Sequence, residues 1–203
     1  MLVTYDDAMT MREARKVYFE ANGFGETGGY DDAWVDFMLG PIPMPFPNTK
    51  GRVRAVRYHD LHHILTGYDT NVAGEFEISA WEIGAGCKDF GAAWVLNLSG
   101  LAGGIVRAPQ RVFRAFVRGR AQRTIYGDDL DAVLDMTVGE ARARFTRSVA
   151  SSESTVADAA LFALAAACGT VIGVPLFFLM LPLVRLGLVA HAMRRRETTA
   201  AQA

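Results

Sequence analysis

Three of the chain's four histidines, His59, His62 and His63, fall within five positions, with Asp60 among them and Glu75 twelve residues after the last. On a helix His59 and His63 are one turn apart, so their rings lie on one face about 6 Å apart and can share an ion. Asp60 is about 100° around the cylinder, placed to be a side ligand or to orient an imidazole. His62, three residues from His59, reads as a ligand or an edge residue. Two imidazoles with one or two carboxylates suit zinc, or a non-haem iron or manganese with open positions, better than calcium or magnesium alone. A hydrated polar helix face is the plain alternative. The clustering of three histidines beside an aspartate, with a distal glutamate, favours the metal.

The elements that must position these residues are legible around them. VRAVRYHDLHHILTG reads as a helix ending at Gly67, followed by a turn through Tyr68–Asn71 and a second helix from Val72 to Gly84. Folded back antiparallel, the second helix brings Glu75 to the histidines from its first turn, where the positive helix end keeps a carboxylate ionised. Upstream, Thr10 or Asp7 caps a helix running to about Ala21, where Asn22-Gly23 stops it. YDDAWVDFML is a short amphipathic segment. Prolines at 41, 43, 45 and 47 make GPIPMPFPNTKGR an extended connector, neither helix nor central strand, whose alternating Ile42, Met44 and Phe46 pack along the domain ahead of meeting an apolar ligand. Helices are expected over Ala92 to Arg123, with a break at Gly103-Gly104, and from Thr137, where Glu140 completes a capping box. With no convincing alternating strand and no internal repeat, the fold class is all-α.

Length and composition divide the 203 residues into a helical metal-site domain over 1–150 and an apolar helical anchor over 151–203. The formal net charge of -1 excludes a general nucleic-acid binder. Arg107, Arg111, Arg114 and Arg118 are spaced along one helical face, suited to anionic lipid, an acidic partner, or pairing with Asp128, Asp129, Asp131 and Asp135. Cys87 and Cys168 imply no disulfide framework and fit a reducing compartment. The first twenty residues lack the pattern of a signal peptide, so the expected location is the cytoplasmic face of a membrane.

From Ala159 to Val184 there is no charged residue, a run of 26 where about 20 suffice to span. A single span would carry Arg194, Arg195 and Arg196 away from the cytosol, against the positive-inside tendency. Pro175 and Pro182, with Gly169 and Gly173, offer a break, so two shorter helices that dip in and return are expected ahead of a true span. A buried or dimerising helix pair is the non-membrane alternative.

His59, Asp60, His63 and, after eleven residues, Glu75 form the pattern His-Asp-x-x-His-x11-Glu, with Gly67, Thr70-Asn71, Gly74 and Glu82 around it. This resembles the fourth protein of coenzyme Q (ubiquinone) biosynthesis, over about Val53 to Gly86 most closely. The resemblance implies a helical, membrane-associated protein that binds a divalent metal, zinc first, with iron, manganese and magnesium remaining open, and a polyprenyl lipid or quinone precursor. It implies oxidative replacement of a carboxyl by a hydroxyl on a polyprenylated hydroxybenzoate, with His59, His63 and Glu75 holding the metal, Asp60 holding or orienting, and Glu82 shuttling a proton. The alternative it carries is a non-catalytic scaffold for other quinone-synthesis proteins. Homo-oligomerisation is compatible with either. A phosphohydrolase sharing only the His-Asp doublet needs further His and Asp ligands, and the remaining histidine, His191, lies in the tail.

Overall fold

The computed structural model describes residues 3–39, 42–146 and 154–200. Helix α1, Met11–Asn22, starts where Thr10 and Glu13 cap each other and stops at Gly23 in the left-handed region. Helix α2, Lys50–Thr66, is capped by the Thr49 side chain and closed by a left-handed Gly67. Helix α3, Val72–Ala85, starts at Asn71, whose side chain accepts the amides of Ala73 and Gly74. Helices α4, Gly91–Arg107, and α5, Pro109–Arg120, follow, then the short α6, Leu130–Asp135, and α7, Val138–Ala141. A capping box of Thr137 and Glu140 opens α7, which runs on into a π-helical turn at Arg142–Thr146. Helix α8, Val156–Ala200, completes the described chain.

The all-α expectation holds apart from one hairpin. The proline-rich stretch is not an unpaired connector: β2, Ile42–Pro47, pairs antiparallel with β1, Trp34–Leu39. The pairing tolerates the prolines because Pro43, Pro45 and Pro47 take alternate positions. The residues between them, Ile42, Met44 and Phe46, face Leu39, Phe37 and Val35 and can donate their amides inward.

The expected helical break at Gly103-Gly104 occurs instead at Ala108, whose φ of -152° and ψ of 60° separate α4 from α5. Pro109 excludes helical backbone at the residue before it, whereas the two glycines stay helical and let α4 approach α3. A Cβ on Gly104 would collide with Phe76 and Val112.

Two buried clusters flank α2. On one side Met11, Ala14 and Tyr18 of α1 meet Leu61, Ile64, Leu134 and Phe145. On the other Trp81 of α3, Leu101 of α4 and Val112 and Phe116 of α5 meet Tyr126. The histidine helix is thus clamped from both sides. Its C-terminal carbonyls are held by arginines: Arg142 donates to the Ile64 carbonyl (3.1 Å) and Arg118 to that of Thr66 (3.1 Å).

Within the arginine stripe Arg111 pairs with an acid, though not with one of the aspartates expected from sequence, and Arg118 and Arg114 bond backbone carbonyls. Arg111 grips Glu77, and the neighbouring Arg120 binds Asp158 at 2.6 Å. Asp128 is held by Lys88 and Arg144, Asp131 and Asp135 by Arg12, and Asp129 caps α6.

The tail corrects a second expectation. In place of two helices broken at Pro175 and Pro182, α8 runs unbroken through both prolines. Each removes one amide donor, and the ladder on either side carries the helix through. Val156–Pro182 is long and apolar enough to cross a membrane, and few of its residues are buried. The boundary expected at 150/151 lies outside the described residues.

Candidate metal centre

Helix α2 supplies His59 and His63 one turn apart, and α3 returns Glu75 from its first turn. Between them the turn is pinned at every residue. The Gly67 amide donates to the His63 carbonyl, Asp69 accepts from the Thr70 amide and the Asn71 side chain, and Gly74 lies so close to the Asp69 carbonyl that a Cβ would collide with it. The glycine at 74 is therefore a packing requirement of the turn that delivers Glu75.

The three side chains converge on one point. His59 Nε2 and His63 Nε2 are 3.2 Å apart; Glu75 Oε2 lies 3.4 Å from the first and Oε1 3.4 Å from the second. Two ligands each 2.0–2.1 Å from one tetrahedral ion stand about 3.3 Å apart. The spacing of all three pairs therefore fits a single ion, and this is the group that could hold one.

Both imidazoles are oriented for that task. His63 directs Nδ1 to the Tyr68 carbonyl at 2.9 Å, so the turn that returns Glu75 also fixes the ring, and Tyr18 stacks on it with centroids 5.6 Å apart. His59 directs Nδ1 to Glu82 Oε1 at 2.8 Å. With each Nδ1–H donated to oxygen, both Nε2 lone pairs face the common point, the usual outer support of metal-binding histidines.

Glu82 lies two turns beyond Glu75 and is fully buried. Its Oε1 accepts from His59 and, at 2.7 Å, from His62; its Oε2 accepts from the Tyr126 hydroxyl at 2.6 Å and from the Asn97 amide. Burial pushes this carboxyl up, but His59 and His62 outweigh it and hold it well below the carboxylate range. A carboxylate whose four acceptor positions are all filled orients the groups bonded to it.

His62, passed over by the sequence pattern, is a structural member of this network. Its Nδ1 bonds Glu82 and its Nε2 accepts the Ile125 amide at 3.0 Å, so it has no lone pair left for an ion. Asp60 is buried and stands outside the convergent three, with its Oδ2 taking the Tyr30 hydroxyl at 2.6 Å. Burial raises its pKa, and the neighbouring His59 and His63 oppose this. Cys87 touches Asn97 and the Glu82 carbonyl, but burial and the Glu82 charge push its thiol up, which leaves it inert.

The electrostatics of the convergent group follow from its geometry. Burial pushes Glu75 up, but His63 and His59 bring it down to about 2. Burial pushes His59 down, and the two carboxylates outweigh it, so its pKa is raised well above the ordinary histidine value. The Glu75 side chain is one-third exposed and that of His59 less, so the group is reachable from outside. Three protein ligands with such access would leave the fourth position of a tetrahedral ion open to water or another ligand.

Asn97 and Tyr126 were not singled out from sequence. For Asn97 a signal existed: it is the one amide side chain in the otherwise apolar and small-residue run of α4. No family model matches the chain, and no curated protein and no solved structure matches it either.

Proposed function

We infer that this chain is a metal-dependent enzyme of ubiquinone biosynthesis, acting at the cytoplasmic face of a membrane on a polyprenylated hydroxybenzoate. The reaction replaces the ring carboxyl by a hydroxyl at the same carbon. The carboxyl leaves as carbon dioxide, the ring carbon takes its hydroxyl from water, and the two electrons and two protons released reduce one dioxygen to hydrogen peroxide. The single observation carrying this reading is the mutual 3.2–3.4 Å spacing of His59, His63 and Glu75 with no fourth protein ligand among the described residues.

Zinc is the ion proposed, held by His59, His63 and Glu75. Bound there, a metal supplies Lewis acidity toward the substrate's oxygens. The chain's own residues do the rest. Glu82 holds the His59 ring through Nδ1, and the Tyr68 carbonyl and the Tyr18 ring hold His63. Asp60, with Tyr30 bonded to it, adds a second acidic group beside His59 without entering the ligand set. The sealed turn and the aromatic packing around His62 and His63 exclude water from the inner side of the site.

The test is restoration of quinone synthesis in cells lacking this activity, with the accumulating precursor identified and the metal content of the purified protein measured. Wild type is expected to restore synthesis and carry one metal per chain, and His63→Ala to do neither. Restoration that survives His63→Ala would take the metal out of the chemistry and leave a lipid-binding scaffold. Failure of the wild type would sink the assignment to this pathway.

A further inference from the structure

Helix α8 is not a free tail. It packs along α4, and the contact is close enough that a Cβ on Gly169 would collide with the Leu98 carbonyl and one on Gly173 would press on Ser99. Phe162 stacks on Phe113 and Phe116 of α5, and Asp158 binds Arg120 at the end of that helix. As numbering rises along α8, from 158 through 162 to 169 and 173, the partner's falls from 120 through 116 and 113 to about 102–98. The two runs are antiparallel.

At equal rise per residue, that register sets Asp89, just ahead of α4, beside about residue 180 of α8. The metal domain therefore flanks the apolar run along its length. Its ion pairs stand at both ends, Arg120 with Asp158 and Arg54 with Asp89, and between them Arg111 with Glu77, two residues from Phe113. An upright α8 would drag these pairs and the helices behind them into hydrocarbon, where charged groups are strongly disfavoured.

The exposed surface has the opposite character. Helix α4 has no charged residue before Arg107 and leaves Trp94, Val95 and Leu96 exposed, while α8 leaves Val171, Phe178 and Leu179 more than half exposed. Close contact through glycine and serine, with apolar side chains outward, is the packing of helices that share a lipid environment.

We propose that α4 and α8 form one membrane-seating face that lies flat in a single leaflet, with the hydrocarbon as its occupant and the metal domain above it. The inference rests on the membrane-associated reading and specifies its geometry: the apolar helix neither crosses the bilayer nor re-enters as a hairpin. Arg185, exposed just beyond the uncharged run, stays at the head groups on the same side as Arg120.

The test adds full-length protein to sealed vesicles of phosphatidylcholine and phosphatidylglycerol. Exposed cysteines are introduced one at a time as Val156→Cys or Arg185→Cys, positions that flank the uncharged run at its two ends, in a Cys168→Ser background that keeps the buried Cys87. A membrane-impermeant maleimide is supplied from outside. Both positions are expected to label before the vesicles are opened, to the level reached after detergent. A position that labels only after lysis would overturn the flat geometry while leaving membrane association standing. Protein that fails to float with vesicles, for instance as a dimer burying α8, would overturn both. Leu96→Glu is expected to weaken vesicle binding about tenfold, as a charge pressed toward hydrocarbon does; unchanged binding would remove α4 from the face.

Discussion

The α2–α3 face and the α4–α8 flank treat their exposed chemistry in opposite ways. Around the histidines the polar groups have assigned partners: two imidazoles, a tyrosine and an amide are ordered by one carboxylate. Along α8 the backbone is satisfied internally and the side chains are left apolar and uncovered. The first region gains its order from directional bonds and is intolerant of a missing partner. The second gains it from contact area and shape, and carries Pro175 and Pro182 within an unbroken helix. The difference separates a site whose function depends on atom positions from one that depends on surroundings.

The sharpest way to break the contrast is Glu82→Ala. Four buried donors would lose their acceptor together, and stability should fall by about 3–5 kcal/mol, as when one member of a buried charged network is removed. Denaturant unfolding with and without added zinc measures it. A loss under about 1 kcal/mol would mean that the network is slack.

Acidity separates the regions next. His59 is raised above its ordinary value, so in the metal-free protein its stabilising contribution is complete below about pH 6.5 and is lost as pH rises through the raised value. Metal binding needs the neutral ring, so affinity should climb about tenfold per pH unit up to that raised value and level off above it. Glu75, at about 2, stays ionised throughout and adds no slope in this window. Glu82, held low, contributes stability above about pH 4.3 that is lost as pH falls through its folded value. Competition titrations with a zinc indicator check the first statement and acid unfolding the second; a flat affinity through neutral pH would contradict the placement of His59.

Tyr126→Phe removes one of the four donors to Glu82 and keeps the ring packed on His62 and Phe90. The expected loss is about 1 kcal/mol, with a modest weakening of metal affinity and unchanged vesicle binding. The smallest effect is assigned to Arg111→Ala. Its guanidinium is half exposed, so its pair with Glu77 should be worth about 0.5 kcal/mol or less by thermal unfolding.

The helix boundaries around the site were legible because each is written in a short-range signal: Thr10 with Glu13, Asn22-Gly23, Gly67, Asn71, and Thr137 with Glu140. The pairing of His59, His63 and Glu75 was legible for the same reason, since helical spacing and one turn fix it. What failed depended on distant partners. Glu82 and His62 acquire their roles from each other, from Asn97 on α4 and from the Ile125 amide, none of which is near in sequence. The proline-rich strand needed a partner strand to reveal that its free amides alternate. The unbroken α8 reflects support from α4 that local proline rules omit.

Asn97 has one further consequence. Its amide bonds the carboxylate that holds His59, while the adjoining Leu98 carbonyl lies against Gly169 of α8. One helix is thus the whole partition between the ion-binding group and the apolar surface, and helices pack with axes 8–10 Å apart. A head group seated at His59 and His63 would stand within roughly 20 Å of α8, two such spacings. On the proposed function, a polyprenyl tail would cover that distance with a few of its units, and the substrate would present its ring to the site while most of its length stays dissolved in lipid. Extraction of the whole molecule into water, the step that makes such substrates hard to use, would never be required.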